Sequence, residues 1–226
     1  MMQSIGNFFF QAISSFLPPI QPSVDPLQKT PPFGPEEWNH YLGISVPPFP
    51  IPDHITSILQ SPCPFWPDKQ IEETHMTCLI PQGVSALDVL EKLLPPFALR
   101  HLSPKLGVPS DKSYWMLITK CIIPNSSSQN PSTQNKLIPP HYRIPHAIEA
   151  IMAVIAMKQF KNIDIYPKAG ERTYCQETIG QYPIAIGSDP ASWVCIPTGP
   201  SEGNGIAAVC IPMELQDQKE EKTLRT

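Results

Sequence analysis

The chain has 226 residues and a formal net charge of −4, with 41% of residues hydrophobic and 16% charged, so it can build a real core and wholesale disorder is excluded. The most basic-leaning stretch, 158 to 168, holds only Lys158, Lys161 and Lys168, which argues against a nucleic-acid partner held through its phosphates. No run nears the roughly 18 apolar residues that span a bilayer, so no integral membrane insertion is expected.

Over residues 1–17, Ile5, Phe8, Phe9, Ala12, Ile13, Phe16 and Leu17 fall on one helical face before Pro18-Pro19 stops the pattern. The first basic residue is Lys29, so neither a secretory signal nor a cationic lipid-binding face is expected here. Two readings stay open: a helix docked on its own domain, or a segment touching a membrane surface or a chaperone.

The chain carries 30 prolines, and those from Pro18 to Pro67 predict an extended arm over 18–52 with short helical interruptions. Pro35 opens a helix over 36–42 with Glu36 and Glu37 in its first turn and Gly43 at its end. A second short helix follows Pro52, with Ile55, Ile58 and Leu59 on one face.

A single folded domain is expected over 53–213. Residues 74–80 read as a strand, Ser85 caps a helix running to Leu94, 113–119 read as a buried strand, and 125–135 read as a polar loop. Pro145 opens a long helix, about 145–160, whose interior from Ala150 to Met157 has no polar residue and must be buried all round. Short β-prone runs at 172–178, 184–187, 192–197 and 206–212 suggest an antiparallel meander. The fold class is therefore α+β, a mostly antiparallel sheet packed on a central buried helix with a proline-rich N-terminal arm, and 214–226 form a charged tail.

No glycine-rich phosphate loop, His-Glu-x-x-His helix or Gly-x-Ser-x-Gly elbow is present, and no cofactor is implied. The segment Ser61-Pro62-Cys63-Pro64-Phe65-Trp66-Pro67 holds Cys63 and Trp66 in a proline-stiffened loop. A nucleophilic Cys63 needs a base, which His75, His141 or His146 would supply, and His75 is the candidate partner. The plainer reading has Phe65 and Trp66 plugging the core with Cys63 packed beside them. The six cysteines are expected to be reduced, and no close cysteine pair marks a zinc site. His141 and His146 form one lone pair, better read as a solvent-facing helix entry than as metal ligands. Along 172–177, alternation puts Arg172, Tyr174 and Gln176 on one face and Thr173, Cys175 and Glu177 on the other. This strand lines a binding cleft or serves as a protected edge.

Trp38 with Tyr41-Leu42-Gly43, the Cys63-Pro-Phe-Trp-Pro loop, Ser113-Tyr114-Trp115, Pro145-His146-Ala147-Ile148-Glu149-Ala150 and Arg172-Thr173-Tyr174-Cys175-Gln176-Glu177 together resemble a family of uncharacterised paralogous proteins of environmental chlamydiae. That resemblance covers most of 35–212 and brings no catalytic residues. It implies an intracellular bacterial source, with residence in the bacterial cytoplasm or secretion into a host cell. The expected function is a non-enzymatic interaction or effector-type protein with a protein partner, the alternative being a cysteine-dependent hydrolase or transferase using Cys63 and His75.

Overall fold

The structure, a computed structural model, describes residues 29–94, 103–127, 129, 131–161, 172–180, 182–187, 194–195, 204–205 and 209–210. The expectations for 1–17, for 18–28 and for the tail 214–226 lie outside the described residues.

Two sheets share one helix. In the first, β1 (His75–Ile80) pairs antiparallel with β2 (Tyr114–Thr119) over its full length, from His75 opposite Thr119 to Ile80 opposite Tyr114, and β2 pairs antiparallel with β7 (Val209–Cys210). Every residue of β1 and β2 is buried, which is why both read as continuous apolar runs. Period-two alternation divides them cleanly. Met76, Cys78, Ile80, Met116 and Ile118 face the main core, whereas Leu79, Trp115 and Leu117 face a second cluster with Ile55, Cys63 and Ile71.

The second sheet runs in the order β5 (Val194–Cys195), β4 (Tyr182–Gly187), β3 (Arg172–Ile179), β6 (Asn204–Gly205), antiparallel except for the parallel pair β3–β6. The α+β class is as expected. The single meander is not: β6 lies parallel to β3, and β7, with apolar Val209 and Cys210, joins the other sheet beside Leu117 and Ile118.

The long helix, Ala147–Lys161, touches strands of both sheets and is buried from Ala147 to Met157. The helices before it are α1 (Pro35–Leu42), α2 (Asp53–Leu59), α3 (Ile71–Thr74), α4 (Ala86–Leu93) and α5 (Pro131–Lys136), which makes it α6. Pro145 was expected inside its first turn but lies one residue before the cap, because the Ala150 amide bonds the His146 carbonyl and so makes His146 the N-cap. The polar stretch expected as a loop at 125–135 contains α5, where Pro131 takes the first helical position that needs no amide donor. At α4, Ser85 Oγ accepts from the Asp88 amide at 3.1 Å while Asp88 accepts from the Ser85 amide at 2.7 Å, a complete capping box.

Residues 29–52 pack on this frame. Phe33 makes a one-residue parallel bridge to Cys78, its amide donating to the Thr77 carbonyl and its carbonyl accepting from the Leu79 amide, both at 2.9 Å. The Trp38 indole N–H donates to the Leu79 carbonyl at 2.8 Å. Phe33 and Trp38 are fully buried in the main core, and Trp38 and Leu42 form the inner face of α1. Gly43 ends α1 with a left-handed backbone, φ 63°, that most residue types with a side chain resist.

Candidate functional site

The Ser61–Pro67 loop folds back on itself, with the Cys63 amide donating to the Lys69 carbonyl at 2.8 Å and the Ile71 amide donating to the Ser61 carbonyl at 3.0 Å. This turn drives the Cys63 side chain inward against Ile55, Ile71, Leu79, Trp115 and Leu117. His75 is buried in an aromatic box. Phe65 stacks on it with ring centroids 6.3 Å apart, Tyr142 lies 5.6 Å away, and Phe65 meets Tyr142 edge-on at 5.0 Å. His75 Nδ1 is 2.8 Å from Thr74 Oγ1, and Nε2 has no hydrogen-bond partner, so neither ring nitrogen bonds Cys63. Burial, with the nearby Lys120 cation adding to it, pushes the His75 pKa down to about 3. Lys120 is itself buried, and its ammonium donates to the Glu72 and Glu73 carbonyls at 3.3 and 2.9 Å. Trp66 is half-buried and edge-on to Phe65 at 6.0 Å, so it serves the same aromatic plug.

A polar network surrounds the N-terminus of α6. Glu149 is fully buried, and its carboxylate accepts from Arg143 at 2.6 and 2.7 Å, from the Tyr114 hydroxyl at 2.7 Å and from the His146 amide at 2.6 Å. The bidentate guanidinium and the helix-terminal amide satisfy the charge that burial would otherwise make costly. Burial first, and then the Glu149 charge, hold the Tyr114 hydroxyl protonated far above its usual range.

The strand β3 supplies the second half of this network. Its pairing with β4 slips between Tyr174 and Thr178, so that Cys175, Gln176 and Glu177 stand opposite Ile184 alone. The bulge re-aims Gln176 and Glu177 at the helix entry. Gln176 donates from its amide to the Pro145 carbonyl at 2.9 Å and from Nε2 to the Ile144 carbonyl at 2.8 Å. Glu177 accepts from the Ala147 amide at 2.9 Å and lies 3.1 Å from His146 Nδ1. The bond to Glu177 raises the His146 pKa against a smaller opposing effect of burial. For Glu177 itself burial pulls upward, but the bonds from His146 and from the backbone outweigh it and leave the carboxyl below its usual value.

The regular alternation expected along 172–177 therefore ends at Tyr174. Tyr174 is buried with Ile123 and Ala185, Cys175 points the other way into the main core, and Arg172 sits at the start of β3 opposite Gly187 with its Nε buried and without a hydrogen-bond partner. Gln176 and Glu177 lock the helix entry, Tyr174 packs, and Trp66 belongs to the aromatic plug beside His75. His141 is exposed, and His146 turns to Glu177. Among the described residues no group of three His, Cys, Asp or Glu side chains could hold a metal ion, and no helix is long and apolar enough to cross a membrane.

A concave feature among the described residues lies elsewhere. A groove of about 700 Å³ opens between 31–39 and 45–51, with Pro31, Pro32 and Pro35 on one stretch, Pro48, Phe49 and Pro50 on the other, and Trp115 between them. The Trp115 indole donates to the Pro50 carbonyl at 3.0 Å, and a Cβ placed on Gly34 would lie 3.2 Å from its ring, so any larger residue there would require the ring to shift by a few tenths of an ångström. The sequence had marked the arm as proline-rich, but the folding-back that pairs its two halves over Trp115 has no local signal. No family model matches the chain, and it has no match among curated proteins or solved structures.

Proposed function

We propose that this chain is a non-enzymatic interaction protein of effector type, holding an extended segment of a protein partner in the groove over Trp115. The groove itself carries this reading. Its prolines are fixed in φ before any partner arrives, so little conformational freedom is lost on binding, and an apolar trough beside extended backbone suits a peptide laid along it. Hydrolase or transferase chemistry built on Cys63 would need a base within hydrogen-bond reach, and His75 meets Thr74 and aromatic rings instead.

The test is a random-peptide display selection on the folded full chain, counter-selected on Ser45→Trp, an exposed lining position where an indole obstructs the groove. Peptides that enrich on the parent chain and lose roughly tenfold or more in affinity on Ser45→Trp, a difference of about 1.4 kcal/mol, are the expected result. A selection that yields nothing, or peptides indifferent to Ser45→Trp, overturns the reading.

A further inference from the structure

Five of the residues lining the groove are prolines, which offer backbone carbonyls and no N–H. Two donors that do lie there are already used: the Gly34 amide bonds Glu37 at 2.8 Å, and the Trp115 indole bonds the Pro50 carbonyl. The charged lining residues are Glu36 and Glu37, both acidic. Glu37 is occupied with the helix cap, whereas Glu36 is exposed, and no hydrogen bond or ion pair reaches it among the described residues. The groove thus presents many carbonyl acceptors, with the Asn39 and Ser45 side chains able to donate as well, and its charge is anionic at the α1 end. Ile51, one of the exposed large apolar side chains among the described residues, lies on its opposite side at 39% exposure.

From this complementarity we infer that the occupant is an extended, basic segment of a partner protein, seating apolar side chains over Phe49 and Ile51 and carrying an Arg or Lys that meets Glu36. The inference rests on the groove reading above. A partner segment without donors would leave the proline carbonyls it covers unpaired, and an acidic one would set like charges together at Glu36. An arginine beside a short apolar run satisfies both walls.

Three labelled heptapeptides on one scaffold, Ser-X-Leu-Pro-Leu-X-Ser with X as Arg, Ser or Glu, separate the possibilities by fluorescence anisotropy against the full chain. The Arg peptide should bind about three- to fivefold more tightly than the Ser peptide, the range of a solvent-exposed ion pair, and the Glu peptide more weakly than either. In about 1 M salt, where the screening length falls to about 3 Å, the three should converge. Glu36→Gln should erase the Arg preference, and Glu36→Lys should hand it to the Glu peptide. Thermal melts of both variants check that α1, which loses a favourable first-turn charge, remains folded.

If all three peptides bind the parent chain over Ser45→Trp but without an Arg preference, the groove reading stands and the basic-partner inference falls. If none distinguishes the parent from Ser45→Trp, both fall.

Discussion

The molecule holds two of its histidines in opposite ways. His75 sits among Phe65 and Tyr142 with Lys120 nearby and no carboxylate bonded to either nitrogen, so charging it gains nothing and burial dominates. His146 is 43% exposed at its side chain and bonded to Glu177, so the carboxylate dominates. The contrast teaches that a buried histidine is a structural aromatic unless a carboxylate comes with it. It also separates a part of the core that depends on remaining neutral from a helix entry built on charge.

The most forceful way to break the charged region is Glu149→Ala. This leaves the Arg143 guanidinium, the Tyr114 hydroxyl and the His146 amide without their shared acceptor, and a loss of about 3–5 kcal/mol is expected in chemical denaturation. A loss under about 1 kcal/mol would mean that the network does not hold the helix entry.

The comparison itself is sharpened by pH. His75 has a folded pKa depressed to about 3, so below its ordinary value of 6.5 the unfolded chain binds a proton that the folded chain refuses. Stability should therefore fall as pH drops from 6.5, by up to about 1.4 kcal/mol per pH unit from this residue. His75→Leu should flatten the slope between pH 6.5 and 4.5, read as urea midpoints at each pH. An unchanged slope would show that another group controls the acid limb.

His146 runs the other way. Its folded pKa is raised, so its contribution is full below 6.5 and is lost as pH rises through the folded value. Because the pair is partly exposed, the expected cost of His146→Ala is under about 1 kcal/mol at pH 6, shrinking toward alkaline pH. A cost that grew with pH would sink the role assigned to Glu177.

How much of this was legible depended on how local the cause was. The apolar run Ala150–Met157, the Ser85 and Asp88 capping box and the Pro35 to Gly43 frame of α1 each declare an element within a few residues, and the structure has them where expected. Glu149 sat in plain view at the third helical position, yet its partners Arg143 and Tyr114 come from a loop and from a strand 35 residues away. The bulge at Gln176 and Glu177 was hidden because an inserted pair of residues leaves no gap in an alternating pattern. The groove was hidden for a topological reason, since both of its sides read alike as proline-rich chain.

The bridge made by Phe33 reaches beyond the core it helps to fill. The outward-facing groups of β1 at Thr77 and Leu79 are taken up by Phe33 and by the Trp38 indole. On the far side of Phe33, where the next strand would attach, Pro32 has no amide hydrogen and the Gly34 amide is held by Glu37. At Phe33, among the described residues, the chain therefore turns toward solvent a side on which neither Pro32 nor Gly34 has a free amide for a further strand, a chemistry that disfavours edge-to-edge pairing at this point.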